Sequence, residues 1–275
     1  MTTIINFEKF TGAGNDFILI NDFEYKLSDD FYQDVCSLLC SRGFGIGSDG
    51  LMVIRKSDKY DFKMMYWNPD GSIAGMCGNG GRCISMLYSK NTGKKQISFE
   101  TRSGIYSAKV LAADRVELTM INPFDFIDET PAPQPSGYAN TGTQHWVISE
   151  TDLENLDVNS VGRKWRNHQF ALSKGGSNIN FVKPTGQNSI KVRTYEKGVE
   201  AETLACGTGT VAAALISYRK AIISQKPVQV QVQSGEILTV GFDDQFQNVT
   251  LTGQAKFLFS GTCQVQKLGN QWRFA

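Results

Sequence analysis

Met76-Cys77-Gly78-Asn79-Gly80 is answered later in the chain by Ala205-Cys206-Gly207-Thr208-Gly209, and the segments around these two stretches match in the same order. Each stretch runs into a helical pattern. Residues 81–90 mix apolar and polar positions, and residues 210–220 carry strong helix formers such as Ala212, Ala213, Ala214 and Leu215. Both patterns close on a base, Lys90 and Lys220, where the helix macrodipole favours positive charge. Downstream, Ile97-Ser-Phe-Glu-Thr-Arg-Ser-Gly104 resembles Val228-Gln-Val-Gln-Val-Gln-Ser-Gly235, two alternating strands that end in Ser-Gly. Val116-Glu-Leu-Thr119 then parallels Val249-Thr-Leu-Thr252, and upstream Gly14-Asn15-Asp16-Phe17 parallels Ser177-Asn178-Ile179-Asn180-Phe181. Any one pair is an ordinary coincidence between common strand and turn words. Five landmarks in one order at similar spacing are an internal repeat.

The repeat predicts an α/β fold of the α+β type: two pseudo-symmetric domains, each a strand-rich sheet or barrel wrapped around a central helix, with the active site in the cleft between them. A chain of 275 residues can build two cores of ordinary size. Pro123, Pro131, Pro133 and Pro135 mark the junction. The expected domains are 1–121 and 122–253, with residues from about 254 to 275 as a candidate to return to the first.

Composition narrows the class. Apolar residues make up 41% and charged residues 20%, as in soluble globular proteins. A net charge of +1 without long runs of like charge gives no footprint for nucleic acid or an anionic membrane. Residues 1–10 include Glu8 and Lys9 and do not follow a signal-peptide plan, and no stretch approaches the roughly 20 apolar residues that span a bilayer. A cytoplasmic protein is expected. The six cysteines are too sparse for a secreted disulfide framework, and only Cys36 and Cys40 come near zinc-ligand spacing, so reduced thiols and no metal are expected.

Two of those thiols are placed for chemistry. A helix N-terminus presents unpaired N–H groups and partial positive charge, which bind carboxylates and favour a nearby thiolate. With a reference pKa of about 8.5, such a thiol can serve as base or acid near neutrality. Inverting a stereocentre without a cofactor takes one group to remove the α-proton and another to return a proton to the opposite face. Cys77 and Cys206 are repeat mates that suit this task, whereas Cys36, Cys40, Cys83 and Cys263 read as core cysteines. A nucleotide site is the weaker reading of the glycines. Neither stretch carries Gly-Lys-Ser/Thr, and Gly78-Asn-Gly-Gly-Arg-Cys83 breaks the dinucleotide fingerprint.

Six segments jointly resemble the diaminopimelate epimerase family across nearly the whole chain: Gly12-Ala-Gly-Asn-Asp-Phe17, Gly45-Ile-Gly-Ser-Asp-Gly50, Trp67-Asn-Pro-Asp-Gly-Ser72, Met76-Cys-Gly-Asn-Gly-Gly-Arg-Cys83, Ser177-Asn-Ile-Asn-Phe181, and Tyr195-Glu-Lys-Gly198 leading to Glu202-Thr-Leu-Ala-Cys-Gly-Thr-Gly209. The resemblance implies two pseudo-symmetric domains, epimerisation of LL- to meso-2,6-diaminopimelate on the way to lysine and peptidoglycan precursors, no cofactor, and a cytosolic homodimer. It makes Cys77 and Cys206 the catalytic pair, and gives the backbone N–H groups of Gly78, Asn79, Gly207 and Thr208 to the reacting carboxylate. It assigns Asn15, Asn68, Asn178, Glu196, Lys197 and Thr143 to substrate contact, and His145 and Glu196 to tuning the thiols.

Two positions depart from the family pattern. Lys197 stands where an arginine is usual, and Gly142-Thr143-Gln144-His145 stands where a proline usually precedes the histidine. A point charge thus replaces a bidentate fork at the distal end of the substrate. Lys197→Arg is expected to strengthen that grip unless Gln144 compensates for the lysine. The alternatives are a racemase for another amino acid and a non-catalytic amino-acid-binding protein. Loss of catalysis would most simply show as replacement of a cysteine, and both are present. Phenazine-type isomerases share the broad architecture but lack the paired cysteines.

Overall fold

The computed structural model describes residues 2–275. In chain order they form β1 (Thr2–Gly12), β2 (Asn15–Asn21), α1 (Asp29–Cys40), β3 (Gly50–Arg55), β4 (Phe62–Trp67), β5 (Ile73–Ala74), α2 (Gly78–Thr92), β6 (Gln96–Thr101), β7 (Gly104–Ala112) and β8 (Arg115–Thr119). They continue as β9 (Phe124–Ile127), β10 (Ser136–Asn140), β11 (Gln144–Ser149), α3 (Val158–Arg166), α4 (Gln169–Ser173), β12 (Asn178–Gly186), β13 (Ser189–Glu196) and β14 (Ala201–Thr203). The last elements are α5 (Gly207–Arg219), β15 (Val228–Gln231), β16 (Ile237–Gly241), β17 (Thr250–Gln254), β18 (Lys256–Leu268) and β19 (Gln271–Phe274). Two compact units result. One holds the residues up to Leu118 together with Gln254–Ala275, and the other holds Thr119–Gly253.

The repeat read from the sequence is a repeat of topology. In the first unit the bonded strands run β18-β1-β2-β3-β4-β6-β7-β8, with directions antiparallel, antiparallel, parallel, antiparallel, parallel, antiparallel, antiparallel. In the second they run β9-β10-β11-β12-β13-β15-β16-β17, and the same series of directions recurs step for step. Each parallel step requires a crossover. Helix α1 supplies it between β2 and β3, and α2 between β5 and β6; their counterparts are α3 with α4 between β11 and β12, and α5 between β14 and β15.

Each sheet wraps a helix. In α5 every residue from Val211 to Ile216 is 0% exposed, and a helix apolar on all sides must be enclosed. It packs against β10, β11, β12, β13, β15 and β16. Helix α2 packs against β1, β2, β3 and β7. A Cβ on Gly80 would lie 1.9 Å from the Met52 side chain, so glycine there permits the close approach of α2 to β3. Strand β7 buries Tyr106, Ala108 and Val110 and exposes their neighbours, the alternation of a sheet with one wet face.

The helices of the other crossovers cover outer faces. Tyr32, Val35 and Leu39 of α1 pack with Ile18, Ile20, Leu51 and Val53; Val158 and Ala171 cover Trp146, Ile148, Ile179 and Phe181 in the second unit. Strand β3 is consequently buried at every position. Its last residue, the fully buried Arg55, is neutralised by Asp22 at 2.7 Å and Asp29 at 2.6 Å and also donates to the Leu27 carbonyl, tying the start of α1 to the sheet. No helix among the described residues is long and apolar enough to cross a membrane.

Candidate active site

Cys77 and Cys206 are the N-cap residues of α2 and α5, in matching extended conformations with φ −132°, ψ 122° and φ −117°, ψ 113°. Their carbonyls accept the first helical bonds, from Gly81 N at 2.7 Å and Thr210 N at 2.8 Å, while neither thiol caps its own helix. Both residues are half-buried. Gly78, Asn79, Gly207 and Thr208 therefore occupy the first turns, where backbone N–H groups lie ahead of the helical bonding and favour an anion.

Glycine at 209 is needed for this geometry. A Cβ there would lie 2.5 Å from Asn180 Oδ1 and 3.3 Å from Cys206 Sγ. Gly209→Ala is expected to cost about 1–3 kcal/mol in stability, the usual price of overpacking; an unchanged urea midpoint would show that Asn180 is free to give way.

In the first unit, side-chain amides form a chain. Arg82 Nη2 donates to Asn79 Oδ1 at 2.8 Å, Asn79 Nδ2 to Asn15 Oδ1 at 2.8 Å, and Asn15 Nδ2 to Asp49 Oδ2 at 2.9 Å. Arg42 bonds Asp49 at 2.7 Å and also reaches Asp16, whose other oxygen lies 2.7 Å from the buried Lys9 ammonium. Burial works to raise the Asp16 carboxyl, but Arg42 and Lys9 outweigh it and hold Asp16 below the ordinary range. Each amide in the chain spends one of its two N–H donors inside it. Asn68 sits in the turn after β4, donating to Ser72 Oγ at 3.0 Å while its carbonyl accepts from Gly71 N and, at 3.1 Å, from Cys36 Sγ.

In the second unit, His145 is fully buried, and burial, aided by the Lys197 charge and only partly offset by the Asn180 contact, pushes its pKa down to about 3. Its Nε2 lies 2.9 Å from Thr208 Oγ1, which lies 3.5 Å from Cys206 Sγ. Glu196 accepts from Thr203 Oγ1 at 2.9 Å, and its burial pushes the carboxyl above the ordinary glutamate range despite that bond. Asn178 Oδ1 accepts from Lys197 N at 2.8 Å, and its Nδ2 donates to the Gln144 carbonyl at 2.9 Å. Thr143 Oγ1 donates to Gln144 Oε1 at 3.2 Å. The Lys197 ammonium also reaches Gln144 Oε1, at 2.9 Å, and lies near the carbonyls of Gly175 and Gly176 at 3.4 and 3.3 Å.

The two departures from the family pattern thus touch each other: Gln144 supplies an acceptor to Lys197. The structure gathers Asn15 and Asn79 at the start of α2, and His145 and Thr208 at the start of α5, with Asn178, Lys197 and Thr143 around Gln144. Cys36, Cys40 and Cys83 are buried, and Cys263 is partly so. Sequence reasoning missed Asp49, which anchors Asn15, and Asn180, which contacts His145. Both lie inside segments quoted above, so the motifs pointed to their neighbourhood without giving them a task.

A family model described as diaminopimelate epimerase matches residues 7–124 and 137–258. A diaminopimelate epimerase from Aquifex aeolicus is 38% identical, covering 94% of this chain and 97% of that protein. One from Chlorobaculum tepidum is 40% identical over 92% of this chain and 98% of the relative. Among solved structures, a phenazine biosynthesis protein of the PhzF family from Bacillus anthracis superposes with a TM-score of 0.72 at 13% identity, covering 94% of this chain and 99% of that one. A hydroxyproline epimerase from Agrobacterium vitis gives a TM-score of 0.65 at 12% identity, covering 94% and 92%. At those identities the solved structures show a shared fold.

Proposed function

The chain belongs to the diaminopimelate epimerase family of isomerases, and we propose that Cys77 and Cys206 interconvert LL- and meso-2,6-diaminopimelate as a thiolate base and a thiol acid, without a cofactor. The observation that carries this reading is the placement of both thiols at the N-caps of corresponding helices in two units of repeated topology. One thiolate takes the α-proton and leaves the C–H electron pair on the α-carbon, delocalised into the carboxylate. First-turn N–H groups at Gly78, Asn79, Gly207 and Thr208 supply the positive potential that this developing charge needs. The second thiol gives its proton to the opposite face, and turnover leaves the two sulfurs with exchanged protonation states.

Asn15, Asn68, Asn178 and Thr143 supply neutral hydrogen bonds to the remainder of the substrate, Glu196 a carboxylate for an ammonium group, and Lys197 a positive charge for the distal carboxylate. The test is chiral separation of products from LL-diaminopimelate and from shorter mono-carboxylate amino acids, with no cofactor added. A preference for a substrate without the distal carboxylate would move the assignment to another amino acid.

Lys197 and Gln144 sharpen the substrate question. The Lys197 ammonium is held by Gln144 Oε1 at 2.9 Å, with the Gly175 and Gly176 carbonyls farther off at 3.4 and 3.3 Å, an arrangement that fixes the charge of a lysine in place. Lys197→Arg is therefore expected to leave the specificity constant for diaminopimelate unchanged or lower. A gain of about tenfold, equal to one charge-assisted hydrogen bond, would mean that Gln144 does not compensate.

The reading includes a cytoplasmic homodimer. The exposed run Phe257, Leu258 and Phe259 on β18 supports it as an apolar surface that a second copy would cover. Sedimentation at micromolar concentration should give a dimer; a monomer there would remove this part.

A further inference from the structure

We infer that Asn180 is a positioning residue for Cys206: by fixing the tautomer of His145, it makes the Thr208 hydroxyl a hydrogen-bond donor to the Cys206 sulfur. The inference deepens the thiol-pair reading and takes its catalytic meaning from it, but its polarity can be measured without substrate.

The direction follows from the surroundings of one buried amide. Asn180 is 0% exposed, and its Nδ2 lies 3.4 Å from the Trp146 carbonyl and 3.5 Å from the Asn178 carbonyl. Carbonyls only accept, so the side of the amide facing them must be the NH2 group. Thr194 Oγ1 donates to the other end, Oδ1, at 3.0 Å. The same Nδ2 lies 3.1 Å from His145 Nδ1, which must therefore accept.

A buried neutral imidazole carries one N–H, and with Nδ1 accepting, the proton belongs to Nε2. That N–H faces Thr208 Oγ1 at 2.9 Å, so the hydroxyl accepts from it. The hydroxyl keeps one proton of its own, and Cys206 Sγ at 3.5 Å is within reach of it. The chain of donors runs Asn180, His145, Thr208, Cys206, and a sulfur that accepts is favoured as thiolate over thiol.

A second observation places Asn180 in this arrangement. Residue 209 is glycine, and a Cβ there would meet both Asn180 Oδ1 and Cys206 Sγ. The first turn of α5 leaves room for that amide beside the thiol. The ionisable group whose charge acts on His145 is Lys197, and the Glu196 carboxyl is engaged by Thr203. Neither supplies the hydrogen bond to Nδ1.

The experiment combines ring-nitrogen NMR of His145 with site-resolved alkylation of Cys206 by iodoacetamide at pH 7. In the wild type, Nε2 should be protonated and Nδ1 bare, a result that needs no variant to fold. Thr208→Val should slow alkylation of Cys206 by about tenfold, the loss of one hydrogen bond to a charged acceptor. Thr208→Ser should recover most of that loss, and Asn180→Leu should slow alkylation severalfold. Because Asn180 acts through the Thr208 hydroxyl, the double variant should be no slower than Thr208→Val alone. A proton on Nδ1 in the wild type, or penalties that multiply in the double variant, would overturn the inference. If the expected tautomer and coupling appear but wild type fails to turn over diaminopimelate, the substrate reading fails while the relay stands.

Discussion

Serine in place of Cys77 or of Cys206 is expected to lower epimerase turnover by about 10²–10⁴-fold, the usual range for loss of a positioned acid or base. A hydroxyl is far too weak an acid to supply a comparable base at neutral pH. The loss should be chemical, because both residues are N-caps and serine is among the best N-cap residues. Thermal stability should be held or slightly raised. Cys83→Ser is the contrasting case: Cys83 is fully buried, so the variant should lose stability but keep turnover per folded molecule within severalfold. Steady-state kinetics with circular dichroism melts separates the two behaviours, and near wild-type turnover in a folded Cys77 or Cys206 variant would end the two-thiol account.

Glu196→Gln is expected to reduce the specificity constant by about 10²-fold, as a substrate ammonium loses its carboxylate partner, yet to raise stability at neutral pH. Burial pushes the Glu196 carboxyl upward, so the folded protein holds that proton more tightly than the unfolded chain does. The resulting stabilisation is complete below the unfolded pKa and is lost as pH rises through the folded one. Above it a charge remains buried, with Thr203 as its hydrogen-bond donor. The melting temperature of the glutamine variant should exceed that of wild type by more at pH 8 than at pH 5. A difference that shrinks with rising pH, or a variant less stable at pH 8, would contradict this view of the site.

The repeat was legible because it is written in local signals. Cys-Gly-x-Gly at 77–80 and 206–209 marks two helix starts, and the structure begins α2 at Gly78 and α5 at Gly207. Alternation at 97–101 and 228–231 gives β6 and β15. The α+β class followed from these elements, while the identical series of parallel and antiparallel steps depends on pairings distant in sequence and has no local sign.

The candidate site divides in the same way. Its residues could be named where a motif carried them, but the bonds among them could not. Nothing around Asp49 announces that it holds Asn15, and nothing in Ser177–Phe181 separates Asn178, which bonds Lys197 and Gln144, from Asn180, which bonds His145. Alternation along β12 offered a partial signal: residues 178 and 180 share a face, so a role for one directs attention to the other. That Gln144 could compensate for Lys197 was raised by the two departures from the family pattern, but the bond itself, from the turn after β13 to the first residue of β11, depends on the folded chain.

The central claim, two thiols acting on opposite faces without a cofactor, is tested most directly by isotope partition. Enzyme and LL-diaminopimelate are placed in deuterated water with no cofactor added, and both isomers are isolated early, before the reverse reaction contributes. Two distinct bases predict that meso product carries one solvent deuterium at the inverted carbon while recovered LL substrate remains protonated there. Exchange into recovered substrate as fast as into product would show a single base working on one face, and would contradict the account.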